Sequence, residues 1–541
     1  MRWTTLATIA LLAAKGADAQ PLSEEERVAV SALVNGVDTQ GGPGFAVGVV
    51  RGGVIVFEEY RGLADLSHRA AIGPNTRFNI ASNAKQYTAL LVLDLARAGR
   101  IDLDADFRTY LPDALPLVQS PITVRHLIEH RSGIRDIYDL WSLSGFDWYE
   151  RALTNKDALS ILARQEGLNF APGTEHRYSN SNYVLLAELV AAVEGTPFVD
   201  RADSFFQHYG MKATGWRASY GAVIPQKARA YYRFEDWFES PDLANLLGDG
   251  FLWTTLRDQM TFEAMVQDGG DKLLAAAQER PVAWAYGFGL EHDEDRGLAR
   301  ISHVGSTGAY NAVMLRYPGE KLSVVVIGNN ATLGIVPLGF RVAEELLADK
   351  YAPPVKYAAR PAQIGRRPTN ADVVGRYEQE GGSIITIAER GERLYRELPG
   401  REPVELLHEE GDLFFYASNR DLKIQLEGNR FRLFSPSQPV ATFIRLAPVP
   451  SEEMRLESAT GMYINTETDA VLRIERLGGT NYRVTDMRGV GNAHMVADDD
   501  LYWNGTRLRF QRNRDGVVER LFYTSGRTAN VLFVPIARAH P

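Results

Sequence analysis

The sequence contains no cysteine among its 541 residues. This absence excludes a thiol nucleophile, a disulfide framework and a cysteine-ligated zinc site. A covalent catalyst in this chain would therefore use serine, threonine, lysine, histidine, tyrosine or a carboxylate. Basic residues are also few, with 59 Lys and Arg against 68 Asp and Glu, which gives a formal charge of −9. Because a nucleic-acid-binding protein usually presents a basic surface to phosphate, we expect no nucleic-acid partner.

Long apolar runs are equally scarce, and the only candidate lies at the N-terminus. Met1-Arg2 gives a short positive start, the next residues up to Ala14 are mostly small or apolar, and Ala17-Asp18-Ala19 is an A-x-A cleavage signal before Gln20. The run is too short to span a bilayer. We therefore predict a signal peptide over residues 1–19, a periplasmic or secreted mature chain and no membrane insertion.

The length exceeds what one hydrophobic core usually serves, which predicts two or three domains. The run AVGVVRGGVIVFEEY reads as two strands around Gly52-Gly53, and AVMLRYPGEKLSVVVIGN reads as a second hairpin that turns at Pro318-Gly319. Between them, KQYTALLVLDLARAGRIDL predicts a helix that Gly99 ends. Hairpins at both ends of a mainly helical segment predict an α+β fold with an antiparallel sheet and helices packed on it.

The composition changes near residue 351, where a proline-rich stretch without periodicity reads as a linker. Short alternating runs follow, and they contain a weak repeat. Gly375-Arg376-Tyr377 recurs as Gly461-Met462-Tyr463, and Asp412-Leu413-Phe414-Phe415 recurs as Asp500-Leu501-Tyr502-Trp503. The repeat favours two copies of a small antiparallel β-barrel, and one larger sandwich is the alternative. The predicted units are a signal peptide (1–19), a catalytic domain (20–352), a linker (353–370) and two β-barrel domains (371–448 and 449–541).

The pattern S-x-x-K occurs once, as Ser82-Asn83-Ala84-Lys85, at the start of the predicted long amphipathic helix. A spacing of three places both side chains on one helix face, one turn apart. A serine at a helix N-terminus lies at the positive end of the dipole, which favours a developing anion. A lysine held beside it in a desolvated site can lose its charge and accept the hydroxyl proton. Taken alone, the pattern also fits two surface residues at a helix start.

Two further motifs carry polar side chains. Tyr178-Ser179-Asn180 follows a Pro-Gly turn and precedes a helical run, so it lies on a loop at a helix entry, where catalytic groups often occur. The alternative is that Asn180 or Ser181 caps the helix while Tyr178 packs. His303-Val304-Gly305-Ser306 precedes the second hairpin, and a lone histidine of this kind is usually structural or exposed.

In this order and context, the three motifs resemble those of the serine penicillin-recognising family, which includes β-lactamases, D,D-carboxypeptidases and their esterase and D-aminopeptidase relatives. The class C-like branch has Y-x-N as its second element, and here H-x-G replaces K-T-G as the third. The segments ITVRHLIEHRSGI, APGTEHRYSNSNY, GDGFLWTT and AYGFGL also resemble the family. A catalytic domain with two barrels is similar to bacterial D-aminopeptidases, and the class and size resemble the exported linear-microcystin peptidases of sphingomonads.

The resemblance implies acyl transfer through an acyl-enzyme that water hydrolyses. It assigns Ser82 as the nucleophile, Lys85 as its proton partner and Tyr178 as a second proton-transfer group. Which of Lys85 and Tyr178 is the acylation base stays open at this point.

The resemblance also implies a substrate-binding set. Asn180 would orient the substrate amide, and His303 would lie on the strand that edges the cleft, followed by Gly305 and Ser306. The backbone N–H groups of Ser82 and Ser306 would form the oxyanion hole, where one lost donor commonly costs about 3–4 kcal/mol.

One pattern points to different chemistry. His126-Leu127-Ile128-Glu129-His130 fits H-x-x-E-H, the inverted zinc-peptidase pattern, in which two histidines share a helix face. The match is short, and Arg125 and Arg131 on either side of it would repel a cation. The pattern G-x-S-x-G is absent, so an α/β-hydrolase nucleophile is not supported. We expect neither a metal nor another cofactor.

The substrate is less determined than the chemistry. A neutral His303 in place of a lysine weakens the case for β-lactams and for recognition of a C-terminal carboxylate. We expect an exported serine hydrolase that acts on small D-residue-containing peptides, with a carboxylesterase or a weak β-lactamase as alternatives. A binder that acylates and stalls is a further alternative, and a homodimer is left open. If a loop of the second barrel covers the cleft, the turns Leu477–Thr480 and Arg488–Asn492 are the candidates.

Overall fold

The computed structural model describes residues 21–279, 281, 285–352, 368–379, 384–398, 402–417, 419–435, 438–446, 459–497, 499–503 and 505–536. The predicted signal peptide and most of the predicted linker lie outside the described residues.

The N-terminal part of the chain mixes helices with short and long strands. Its helices are α1 (Glu24–Asn35), α2 (Lys85–Arg97), α3 (Val124–Ile128), α4 (Ile137–Leu143), α5 (Asn155–Leu162), α6 (Asn180–Glu194), α7 (Phe198–His208), α8 (Leu256–Asp268), α9 (Lys272–Ala277) and α10 (Ile335–Leu346). Its strands are β1 (Phe45–Arg51), β2 (Val54–Arg61), β3 (Leu63–Asp65), β4 (Ala70–Ala71), β5 (Phe78–Asn79), β6 (Gly215–Trp216), β7 (Tyr231–Arg233), β8 (Trp237–Glu239), β9 (Leu252–Thr254), β10 (Tyr286–Gly287), β11 (Leu290–Asp295), β12 (Leu298–Thr307), β13 (Tyr310–Tyr317) and β14 (Leu322–Gly328).

Seven of these strands form one antiparallel sheet in the order β10-β11-β12-β13-β14-β1-β2. Both predicted hairpins are present, as β1–β2 and as β13–β14, and they lie side by side because β1 pairs with β14. Helices α1 and α10 cover one face of the sheet, and α8 packs on the other, towards the remaining helices. The predicted α+β fold is therefore confirmed.

Helix α2 is central rather than amphipathic. Ten of its thirteen residues are buried, including the first nine, so the helix is covered on every side over that length, and α6 packs along it. One of the buried residues is Lys85, at the first position of the helix. The packing that stabilises the domain thus also removes a potential ammonium group from water.

The C-terminal part forms two closed antiparallel barrels of eight strands each. A short helix, α11 (Asn370–Val373), precedes the first barrel, whose strands are β15 (Gly375–Gln379), β16 (Ile384–Arg390), β17 (Arg393–Glu397), β18 (Val404–Glu410), β19 (Leu413–Tyr416), β20 (Asn419–Glu427), β21 (Arg430–Ser435) and β22 (Gln438–Arg445). The strands of the second barrel are β23 (Gly461–Ile464), β24 (Val471–Gly478), β25 (Asn481–Thr485), β26 (Val490–Ala497), β27 (Asp500–Trp503), β28 (Thr506–Arg512), β29 (Val518–Ser525) and β30 (Thr528–Pro535).

The sequence repeat corresponds to equivalent strands of the two barrels. The two Gly-x-Tyr triplets open the first strand of each barrel, and the two aromatic runs form the fifth. Tyr377 donates a hydrogen bond to the carbonyl of Val373 at 2.8 Å, and Tyr463 donates the same bond to Ala459 at 2.8 Å. Two copies of one barrel therefore explain the repeat, and the single larger sandwich is excluded.

None of the described helices is by itself long and apolar enough to cross a bilayer, and the one successive pair that would pass such a test jointly, α6 and α7, is bent by 89°.

Candidate active site

The predicted nucleophile lies in a tight turn before α2. Residues Ala81–Ala84 form a 3₁₀ turn, in which side chains three residues apart are eclipsed, so Ser82 and Lys85 lie on one side as predicted. Ala81 has a left-handed backbone with φ of +49°, and its N–H donates to Asn79 Oδ1 at 2.9 Å. Strained conformations of this kind persist only where the surrounding structure holds them, and they cluster at functional sites. Ser82 itself is half-buried and open to a substrate.

Lys85 is fully buried and meets three oxygens. Its Nζ lies 3.2 Å from Ser82 Oγ, 2.8 Å from Asn180 Oδ1 and 2.5 Å from the carbonyl of Asp249. Burial lowers the pKa of Lys85 to about 7, against an opposing effect of the Asp249 carboxylate. A neutral amine has two N–H donors and a lone pair. The amide and carbonyl oxygens can only accept, so they take the two N–H donors and leave the lone pair for the Ser82 hydroxyl.

Tyr178 lies over the same amine, with its ring centroid 4.9 Å from Lys85 Nζ. Its hydroxyl is buried and has no fully formed hydrogen bond among the described residues, although Ser82 lies close enough to lower its pKa by hydrogen bonding. Burial outweighs that effect and raises the pKa of the phenol well above its usual value. The group is therefore a neutral phenol at physiological pH, able to donate a proton rather than to remove one.

Asn180 is the first residue of α6 and links Lys85 to a buried carboxylate. Its Oδ1 accepts from Lys85, and both its backbone N–H and its Nδ2 donate to Asp136 Oδ2 at 2.8 Å. The remaining oxygen of Asp136 accepts from the N–H of Tyr138 at the start of α4. The side chain of Asn180 thus fixes the lysine here, and its predicted contact with the substrate amide stays a prediction.

His303 lies on β12, which edges the site next to the nucleophile turn. Its Nδ1 is 2.8 Å from the carbonyl of Val304, which can only accept, so Nδ1 carries the proton. Its Nε2 then accepts from the hydroxyl of Tyr286 at 3.1 Å. Burial, reinforced by the charge of Lys85, lowers the pKa of His303 to about 3. The imidazole is therefore neutral, as the sequence predicted.

Gly305 is required for the close approach of β12 to the nucleophile turn. A Cβ atom at this position would lie 2.3 Å from the carbonyl oxygen of Ile80. Asn83, between the serine and the lysine of the first motif, joins the two elements. In the amide orientation that satisfies both groups, it donates to the His303 carbonyl at 2.9 Å and accepts from the Gly305 N–H at 3.2 Å. Ser306 follows on the exposed side, so its N–H remains the predicted second oxyanion donor.

Sequence reasoning missed two buried carboxylates beside the lysine. Asp249, inside the segment GDGFLWTT, accepts from Lys85 through its carbonyl and from Tyr138 Oη at 2.7 Å through Oδ2. Asp136 supports Asn180, as described above. No spacing rule links these residues to the three motifs. The only signal was the presence of Asp249 in a segment that resembles the family.

The second barrel reaches the site, by a turn that sequence reasoning also missed. Gly526 and Arg527 form the turn between β29 and β30, and Arg527 Cζ lies 4.7 Å from the ring centroid of Tyr178. The N–H of Arg527 donates to Asp139 Oδ2 at 2.7 Å. Of the two predicted candidate turns, the one that contains Arg488 meets the catalytic domain at another point, where Arg488 lies 3.7 Å from Asp147.

The barrel is held in place by a buried ion pair. Arg135, 2% exposed, pairs with Glu467 of the second barrel, 6% exposed. It also donates to the carbonyls of Ala529 and Asn530 at 3.3 and 2.9 Å. Because Arg135 directly precedes Asp136, this interface and the lysine-supporting network share one short segment.

The residues of the zinc-like pattern do not converge. His126 Nδ1 accepts from the N–H of Thr123, and His130 is fully buried with its Nδ1 against Ser179 N and Asn182 Nδ2. In the part of the chain that the structure describes, no group of three His, Asp or Glu residues is arranged to hold a metal ion. The arrangement around Ser82 instead combines a nucleophile, a neutral amine and a neutral phenol, which is the equipment for acyl transfer.

The chain resembles known proteins both in sequence and in fold. A family model described as Beta-lactamase matches residues 29–343. A D-aminopeptidase of Cereibacter sphaeroides is 28% identical over 302 residues, which are 53% of this chain and 57% of the relative. The chain thus matches little more than half the length of that relative.

Two solved structures show the same fold. The octameric penicillin-binding protein homologue from Pyrococcus abyssi aligns with a TM-score of 0.55 and 19% identity, covering 77% of this chain and 99% of that one. The D-amino acid amidase from Ochrobactrum anthropi SV3, complexed with D-phenylalanine, aligns with a TM-score of 0.52 and 22% identity, covering 60% of this chain and 100% of that one.

Proposed function

The chain belongs to the β-lactamase family, and from this premise we propose that it is a serine hydrolase that cleaves amide bonds in D-residue-containing peptides. The observation that carries the proposal is the environment of Lys85. Its two N–H donors have acceptors in Asn180 and Asp249, so the lone pair of the neutral amine faces Ser82 Oγ at 3.2 Å. Such an amine can take the hydroxyl proton as Ser82 attacks a carbonyl.

Tyr178 is suited to the proton transfers that follow the attack of Ser82. Its buried phenol stays protonated at neutral pH and lies beside Ser82, so it can deliver a proton to the leaving amine. The proton that Lys85 has accepted can then pass to Tyr178 and restore both groups. Water hydrolyses the acyl-enzyme in a second step, in which Lys85 accepts a proton from the water and returns it to Ser82 Oγ as the ester bond breaks. In both steps the N–H groups of Ser82 and Ser306 would hold the developing oxyanion.

The substrate class follows from similarity and from the third motif. The relative from C. sphaeroides is a D-aminopeptidase, which favours a peptide or amide with a D-residue at the cleaved bond. The neutral His303 lacks the charge that K-T-G relatives offer to a β-lactam carboxylate. A linearised microcystin cut beside D-Ala is our specific candidate, given the resemblance in class and size noted above. Esters would react by the same step, so they belong in the test.

We further propose that the chain is exported, on the basis of its N-terminal signal-like sequence, and that it assembles into oligomers. The penicillin-binding protein homologue from P. abyssi is octameric, and it shares this fold. Fractionation of cells that express the full chain tests the first proposal. Light scattering of the purified protein tests the second, and a monomer at all concentrations would contradict it.

The central experiment compares Ser82→Ala with Ser120→Ala, a control at an exposed serine away from the site. A fluorophosphonate should label the wild type and Ser120→Ala at Ser82, as located by mass spectrometry, and it should not label Ser82→Ala. Turnover should be measured on D-Ala and L-Ala amides, a D-Ala-containing linear peptide, p-nitrophenyl esters and a chromogenic cephalosporin. Labelling at another residue would refute the mechanism. A single burst without turnover would instead identify a binder that acylates and stalls.

A further inference from the structure

Arg527 is a half-exposed cation at the site. Its side chain is 50% exposed, whereas the carboxylate of Asp136 is 1% exposed and Lys85 is fully buried. A substrate that approaches Ser82 therefore meets a guanidinium before it meets any other charged group of this cluster. An arginine keeps its charge at every physiological pH, unlike a histidine or a desolvated lysine.

The guanidinium has unused hydrogen-bonding capacity. It makes no side-chain hydrogen bond to another described residue, and its ion pair with Asp136 is long, at 3.8 Å. Both oxygens of Asp136 already accept from other donors, namely Asn180 and the N–H of Tyr138. Arg527 therefore offers a planar fork of N–H donors, which matches the geometry of a carboxylate.

Its position is fixed rather than accidental. The backbone N–H of Arg527 donates to Asp139 at 2.7 Å, and its carbonyl accepts from Asn169 Nδ2 at 2.9 Å. The next residue, Thr528, accepts from the N–H of Asp136 at 3.2 Å. Three bonds to the catalytic domain thus hold the turn, while the side chain lies over the Tyr178 ring that also faces Lys85.

We propose that Arg527 is a substrate-binding residue that pairs with a carboxylate of the substrate close to the scissile bond. The inference rests on the proposed function. It also changes one expectation from the sequence, because the positive charge that the neutral His303 cannot supply comes from the second barrel. By the same electrostatics, Arg527 disfavours a substrate with a free ammonium group at that position.

The test compares matched ligands that differ only in charge. A D-Ala-containing linear peptide is prepared with a free C-terminal carboxylate and with a C-terminal amide, and kcat/KM is measured for both. N-acetyl-D-alanine and N-acetyl-D-alaninamide are compared as competitors of fluorophosphonate labelling, which needs no turnover. We expect wild type to favour the carboxylate form by about tenfold, which corresponds to about 1.4 kcal/mol. The preference should shrink at high ionic strength, because the pair is partly exposed.

The variants separate binding from structure. Arg527→Gln should bring both ratios close to one while the melting temperature stays unchanged, and Arg527→Lys should keep part of the preference. Arg520→Gln is the matched control, because Arg520 is an exposed arginine on β29 of the same barrel. It should keep the full preference.

Two outcomes would overturn the inference. Unchanged ratios in Arg527→Gln would identify a solvated interface arginine only, and a wild-type preference for the amide forms would exclude a carboxylate ligand. Failure of the proposed function looks different, because the wild type would then show no labelling of Ser82. Normal labelling with unchanged ratios rejects the role of Arg527 alone.

Discussion

The rate of acylation should rise with pH and level off near the pKa of Lys85. Burial lowers that pKa from 10.5 to about 7, and the nearby charge of Arg527 acts in the same direction. The reactive form is the neutral amine, so the rate is lost as pH falls through the pKa. Each unit below it lowers the neutral fraction about tenfold, so the rate at about pH 5 should be about 100-fold below the plateau.

A suitable assay is the second-order rate constant of fluorophosphonate labelling between about pH 5 and pH 9, since the reagent itself does not titrate there. The profile also decides between the two candidate bases. If the phenolate of Tyr178 were the base, its raised pKa would make the rate climb throughout this range. A plateau above neutral pH therefore assigns the base to Lys85, and a continuous rise would refute our reasoning.

The titration of Asp139 would give a similar pH profile. Burial, together with the charge of Asp136, raises the pKa of Asp139 to about 7, in the same range. Asp139→Asn removes that titration without touching Ser82, and the midpoint should survive in this variant. Lys85→Met should remove acylation at every pH. A profile that is flat in wild type, or one that disappears in Asp139→Asn, would show that Lys85 does not control the rate.

Three further predictions follow from the geometry. Gly305→Ala should lower kcat/KM by about 100-fold, because the added methyl group would displace β12 from the nucleophile turn. A kcat/KM within twofold of the wild-type value would contradict the tight packing. Arg135→Met should lower the free energy of unfolding in urea by about 3–5 kcal/mol, because Glu467 stays buried without its partner. Adding Glu467→Leu should recover much of that loss, and additive losses would show that the two residues do not act as a pair. Exhaustive EDTA should leave hydrolysis unchanged, and His126→Ala should reduce the melting temperature rather than kcat. If EDTA abolished hydrolysis and zinc alone restored it, the site would lie at the H-x-x-E-H pattern.

The fold was largely predictable because its signals are local. The two hairpins of the sheet show up as alternating apolar residues around Gly-Gly and Pro-Gly turns. A sequence repeat, whose copies lie on equivalent strands, indicates the two barrels. The predicted amphipathic character of α2 was wrong, since a helix that is covered on all sides loses the polar face on which a period depends.

The site was only partly predictable for the same reason. The side chains of Ser82 and Lys85 are brought together by a spacing of three residues, so a sequence pattern can reveal them. Asp136, Asp249 and Arg527 act through contacts between distant segments, and no spacing rule connects them to the three motifs. Arg527 lies in a hairpin turn whose glycine is like many others in the barrels. Its position depends on the docking of a whole domain.

The placement of Arg527 has a consequence for the order in which the enzyme becomes active. During translation the catalytic motifs are synthesised early and the β29–β30 hairpin late, so a nascent chain contains Ser82 long before it contains Arg527. Until the hairpin docks, Arg135 lacks Glu467 and the carbonyls of Ala529 and Asn530, and the adjoining Asp136 lacks its contact with Thr528. Full selectivity is thus withheld until the second barrel has folded against the catalytic domain.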